Sequence, residues 1–456
     1  MLGGVVAAVA LASFAVAYAG KPTLVPFLAL ALIGGAMVLW RPEIGLFAML
    51  AMLVLKPDAI QGLGFVGPNT LLSVILAAIL FAGVLAGRPP DFLRSNQIRA
   101  FLGVGAVLVL NWAVVGRTHA PGALAELDYT GRALYRYVIH LSLLVFLIAF
   151  VRTRQQLLAL TALFIVGIVV TVPGAISGSE GATKVEALRA AAVGGVRSAE
   201  NANRLAFMCL MGISIVWFAL QHYRSLLLRA AGTALILVLL LTVFRSGSRS
   251  GVLNLIVLAV LIVLQSRLHP GNFGLIVIAA MVSALAVVML VPDAVMQRIL
   301  SAFSAEDQPR SVALGDAGRL AILGAGLALA FQNPIMGVGI GNFRWMTFEQ
   351  SGLAVAAHNA YALAAAEGGL LFLGAYLALF WLTARDLNRA VRQSSQLPQV
   401  GLGWLVLATR TNLLLLLVVS LFAEAWKEFY ILLIVGTAGI LAQIYGRAAA
   451  EATKRA

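Results

Sequence analysis

Charge is scarce in this sequence. Only 11% of its 456 residues are Asp, Glu, Lys or Arg, while 61% are hydrophobic and the mean hydropathy is +0.98. A water-soluble globular domain of this size needs no such balance to bury its core, so that class is excluded and a bilayer is the natural solvent. Acids are the rarer sign, 18 against 32 Lys and Arg, for a net charge of +14. In a soluble chain that excess would point to nucleic acid. Here the cations are dispersed through the gaps between apolar runs, which is a topology signal, and no nucleic-acid partner is expected. Cysteine is nearly absent: Cys209 stands alone in an apolar stretch, which rules out an intrachain disulfide or a cysteine metal site. There is no H-E-x-x-H, EF-hand loop or P-loop, so neither a metal nor another cofactor is signalled. No period of 20–50 residues marks a repeat array.

What the chain has is apolar runs long enough to span about 30 Å of hydrocarbon, repeated along its length. Candidate spans cover 2–19, 24–40, 44–55, 70–87, 100–116, 134–151, 156–177, 205–220, 226–244, 250–265, 273–292, 361–383, 402–423 and 429–446. The first is kept as an uncleaved span, because no Lys or Arg precedes Lys21. The third is short enough to be re-entrant or interfacial. The expected fold is all-α and polytopic, with about 12–14 transmembrane helices in one integral membrane domain over 1–456. With the amino terminus inside, basic residues are roughly twofold denser in the inner loops than in the outer ones, the direction the positive-inside rule requires. Three outer segments are then unusually polar: 117–133, 178–204 and the long one over 293–360. Connections of that length more often carry a site than a bare linker.

Three constellations lie in or beside those segments. The first is the turn Ser246-Gly247-Ser248-Arg249-Ser250-Gly251, preceded by Arg245. Its guanidinium forks, hydroxyls and exposed amides match the oxygens of a phosphate or pyrophosphate. An equally open reading is that both arginines snorkel to headgroups. The second is the cluster Arg189, Arg197 and Arg204 around Asn201 and Asn203, with Arg319 further on. Outer-face arginine held against the topology bias asks for a partner: an anionic lipid-phosphate, or nearby acids such as Glu186, Glu200 or Asp316. The third runs from Asn333-Pro334 through the alternating glycines Gly337, Gly339 and Gly341 to His358-Asn359-Ala360-Tyr361, followed by Glu367-Gly368-Gly369. A glycine-alternating loop is no stable helix and suits close backbone approach. His358, at the outer end of a span, is either structural or a general base. Arg410, inside a span, needs a partner such as Glu367, Glu424 or a backbone carbonyl.

The order of these pieces resembles the O-antigen ligase and polymerase superfamily of bacterial envelope glycosyltransferases. The carrying residues are the Ser246–Gly251 turn, Arg319, Pro334 to Phe343, His358-Asn359-Ala360-Tyr361, Glu367 to Leu370, and Asn201 to Ala206 where a span begins; the specific part covers about 189 to 384. The resemblance implies an inner-membrane protein with its site facing the periplasm. It also implies an undecaprenyl-diphosphate-linked glycan as donor and metal-independent inverting transfer to a lipid A-core or glycan acceptor. On the family pattern the diphosphate falls to Arg249 and Arg197, with Arg319 and Arg189 as further candidates, and His358 activates the acceptor hydroxyl. Two features depart from that pattern: no aromatic residue stands among Leu320 to Gly324, and the spacing upstream leaves Arg189 competing with Arg197. The expected activity is that of an O-antigen ligase. The alternatives are a polymerase extending the lipid-linked chain, a protein glycosyltransferase and, from another class, a transporter or flippase.

Overall fold

A computed structural model describes residues 34–35, 37–55, 68–87, 91–115, 130–177, 202–265, 310–351, 357–423 and 428–455. These residues form α1 (Pro42–Leu55), α2 (Pro68–Leu85), α3 (Asn96–Val115), α4 (Thr130–Phe150), α5 (Arg154–Ser177), α6 (Ala202–His222), α7 (Leu226–Arg245), α8 (Arg249–Gln265), α9 (Arg310–Gln332), α10 (Phe343–Ser351), α11 (Ala360–Gln396), α12 (Gly403–Val419) and α13 (Phe429–Arg455). No strand occurs among the described residues. Helix is the only economical choice for such a sequence, because in hydrocarbon each backbone amide and carbonyl must be satisfied within its own segment.

Seven of the described helices are long and apolar enough to cross a membrane, and shorter apolar helices such as Thr70–Leu85, Ser250–Gln265 and Gly403–Val419 accompany them. The chain is a multi-pass, all-helical membrane protein. The candidate spans 2–19 and 273–292, and most of 24–40, lie outside the described residues.

Position in the bundle separates helices of similar composition. α6 is the hub, with Leu205, Ala206, Met208, Cys209 and Leu210 fully buried. It packs against α7, α8 and α12. Its neighbour α7 is just as apolar but turns Leu226, Leu227 and Leu228 outward, as a helix facing lipid does. α11 lies between α3, α9, α12 and α13.

The helix α9 corresponds to no candidate span. Its run Ala321–Phe331 is apolar, but Arg319 on one side and Asn333-Pro334 on the other make it too short to cross. It packs along α11 instead, with Phe343 and Ala362 against Gly326.

Candidate functional site

The segment after α9 meets α11 where α11 is broken. Gly369 has φ 64° and ψ −165°, so the helix stops and restarts there. The break frees backbone groups that residues 334–339 take up. The Val338 amide donates to the Ala366 carbonyl (2.8 Å), Gly339 to Glu367 (2.9 Å), and Leu370 in return to Pro334 (2.8 Å). A Cβ at Gly337 or Gly369 would collide with this facing backbone, and both glycines have positive φ, which is why the loop is built on glycine. The close approach expected of the glycine loop is thus to the chain's own broken helix.

Two polar side chains lock this seam. Asn111 of α3, 1% exposed, donates to the Met336 carbonyl and accepts from the Ile340 amide at 3.0 Å. Glu367, 2% exposed, accepts from the Phe343 amide at 3.2 Å. Glu367 belongs to the motif picked out from sequence, whereas Asn111 was legible only as a polar residue inside an apolar run, which inside a membrane is itself the signal.

His358 stands at the head of α11. It is exposed and has φ 50°, an uncommon backbone state for a residue with a Cβ. The residues after it hold it there. Asn359 caps the helix, its Oδ1 accepting from the amides of Tyr361 (3.0 Å) and Ala362 (2.9 Å). The Ala360 amide donates to the Ser420 carbonyl (2.8 Å), and the Tyr361 hydroxyl to the Leu417 carbonyl (2.8 Å), which pins the corner to the end of α12.

The serine turn lies between α7 and α8, and its chemistry differs from the sequence reading. Ser246 and Ser248 are buried. Ser246 Oγ donates to the Val243 carbonyl (2.6 Å), while Ser248 Oγ caps α8 by accepting from the Gly251 amide (2.9 Å) and donates to Asn203 Oδ1 (2.6 Å). These hydroxyls shape the turn and are not turned toward an anion, because the backbone at a helix junction claims them first. Gly251 is small for a related reason: a Cβ there would meet that of Ala206 at 2.7 Å.

A continuous set of contacts joins this turn to the histidine corner. Ser248 holds Asn203 at the start of α6, and its neighbour Arg204 pairs through Nη2 with Glu428 Oε1 (2.5 Å) at the start of α13. Phe207 packs at a tilt against Tyr430, with ring centroids 4.7 Å apart. Tyr361 at the head of α11 packs by Tyr376, which lines one cavity together with Glu428 and Ile431 at the start of α13. α6, α8, α11 and α13 therefore all begin at one end of the bundle. Each N-terminus carries roughly half a positive charge from its peptide dipoles, so this face favours an anion before any side chain is counted. Beneath Glu428 a cavity of about 30 Å³ has Arg136 and His140 on its wall.

Among the residues picked out from sequence, Arg249 is the first residue of α8 and Arg319 lies within α9, while Arg189 and Arg197 lie outside the described residues. Arg204 pairs with Glu428, an acid that the sequence reading did not offer as a partner. Among the described residues Arg410 pairs with amides, Nε with Gln265 Oε1 (2.6 Å) and Nη1 with Asn388 Oδ1 (3.3 Å), while Glu424 lies outside those residues.

Residues 234–377 match the family model described as O-antigen ligase. The O-antigen ligase match runs from within α7 to the middle of α11, so it takes in the serine turn, Arg249, Arg319, the glycine loop, His358 and the break at Gly369. Arg189 and Arg197 fall upstream of it. The match supports glycan transfer of the O-antigen ligase and polymerase type. A search of curated proteins finds no match to the chain.

Proposed function

We propose that this protein is an inner-membrane glycosyltransferase. It moves a glycan from undecaprenyl diphosphate to an acceptor hydroxyl at the periplasmic face, and as an O-antigen ligase it delivers the glycan to lipid A-core. The observation that carries the reading is the shared location of the Arg249 turn and the His358 corner, at the end of the bundle where four helix N-termini gather.

In this mechanism the prenyl tail stays in the bilayer and the diphosphate is held by Arg249 and Arg197, with Arg189 competing for the place of Arg197 and Arg319 as a further candidate. His358 takes the proton from the acceptor hydroxyl, whose oxygen forms a bond to the anomeric carbon from the face opposite the diphosphate. The bond from that carbon to the diphosphate breaks, and its electron pair leaves with undecaprenyl diphosphate. The configuration inverts. Fixed positive charge stabilises the departing anion, and base assistance contributes typically about 10²–10⁴-fold. No metal ion is required, since the arginines and helix ends supply the countercharge.

Deletion of the gene followed by electrophoresis of surface polysaccharide tests the assignment. Loss of the ladder attached to lipid A-core, with lipid-linked glycan accumulating, is the expected result. A single-repeat band would instead assign a polymerase.

A further inference from the structure

At the end of the bundle opposite His358 lies a much larger cavity of about 450 Å³. The 3-10 turn Asp91–Arg94, the start of α3, the end of α4 and the lower parts of α11 and α13 enclose it. Four arginines line it, Arg94, Arg152, Arg389 and Arg447, against two acids, Asp91 and Asp386.

The buried acid does not neutralise them. Asp386 is 3% exposed, and its two oxygens accept from Asn96 Nδ2 (3.2 and 2.9 Å) and Gln97 Nε2 (3.0 Å). Its nearest cation is Arg385 at 3.7 Å, outside the cavity wall. Arg447 Nη2 donates to the Arg152 carbonyl (2.9 Å) and Arg152 Nε to the Ala149 carbonyl (2.6 Å). None of the four wall arginines pairs with a carboxylate among the described residues. The rest of the wall is mixed, with Phe92, Ile148 and Ala442 beside Gln393 and Gln443.

We infer that this cavity is a binding site for the phosphate headgroup of an anionic membrane lipid. Guanidinium groups without carboxylate partners suit a phosphate. The apolar part of the wall suits the glycerol and first methylenes of an acyl chain, which a free anion lacks. The depth also fits, because the cavity sits where spans end and headgroups lie.

The test uses the full chain in detergent, titrated with phosphatidylglycerol or with phosphatidylcholine of the same acyl chains, and bound lipid is counted by native mass spectrometry. We expect one tightly held phosphatidylglycerol, with phosphatidylcholine held at least about tenfold more weakly, and loss of about tenfold or more in phosphatidylglycerol affinity in Arg389→Gln/Arg447→Gln. Arg447 also holds a backbone carbonyl, so Arg389→Gln alone, which removes no hydrogen bond among the described residues, is measured beside it and should weaken binding severalfold. Arg229→Gln, away from the cavity wall, should change nothing. Equal lipid retention by wild type and Arg389→Gln would overturn the inference. So would inorganic phosphate or pyrophosphate binding at the same arginines while phosphatidylglycerol does not, since the site would then serve a soluble anion. The lipid readout is independent of glycan transfer.

Discussion

The hydroxyl of Ser248 donates to the side chain of Asn203 across 2.6 Å, joining two residues 45 positions apart at one end of the bundle. The same oxygen caps α8, so the backbone that begins α8 is tied to the start of α6. Asn203→Ala and Ser248→Ala should each cost about 1 kcal/mol of stability, and their double-mutant cycle should return a coupling of about 0.5–1.5 kcal/mol. Thermal unfolding in detergent measures both, and strictly additive effects would show that the bond carries no energy. Both variants should also transfer glycan more slowly, because the cationic turn loses its seat.

His358→Ala should lower transfer by about 10²–10⁴-fold and leave the folded protein in place, because the side chain is exposed. His358→Gly separates catalysis from structure. Glycine accepts the positive φ more readily, which offsets its extra freedom in the unfolded chain, so stability should stay within about 1 kcal/mol of wild type while transfer is lost. Normal transfer in either variant would remove His358 from the mechanism.

Gly369→Ala should be far more damaging than an ordinary helix substitution. It places a Cβ against the Ile335 carbonyl and a side chain at φ 64°. A loss of about 3 kcal/mol or more is expected, read as a large fall in Tm. A wild-type Tm would mean that the break in α11 is not part of the folded state.

Breaking the Arg204–Glu428 pair should cost about 1 kcal/mol, a figure reduced by the 32% exposure of the arginine side chain. Glu428→Gln should therefore shift Tm modestly, whereas the exchange Arg204→Glu/Glu428→Arg should recover most of the stability. It should not recover full transfer, because the exchange moves a positive charge away from Asn203 and the serine turn.

Purified protein in liposomes, given lipid-linked donor and acceptor, should form product without any ion gradient. Movement of donor across the bilayer with no new glycosidic bond would favour a transporter.

Much of this was readable in advance, because a bilayer makes hydropathy nearly sufficient. Runs such as Leu226–Phe244 and Leu205–Leu220 declare themselves as spans by length and composition. The place of His358 at the outer end of a span was legible too, and α11 begins two residues after it. What escaped depended on pairs distant in sequence. Asn111 contacts a loop more than 200 residues away, and Glu428 finds Arg204 across a similar gap. The glycine pair at 368–369 sits in an apolar run that scores as one continuous span, so only the facing loop reveals the break. The capping roles of Ser246 and Ser248 escaped for the converse reason. Hydroxyls suited to phosphate are equally suited to capping, and a single sequence does not say which partner arrives first.

The interruption at Gly369 has a mechanical outcome. α11 is 37 residues long, about 55 Å at an ordinary rise, more than a bilayer asks of one helix. Its upper stub is held by the strap of residues 334–339 and by the end of α12, and the same strap grips Leu370 at the top of the lower shaft. Alterations in the strap are therefore felt on both sides of the interruption, at the stub that ends in the histidine corner and at the top of the long shaft.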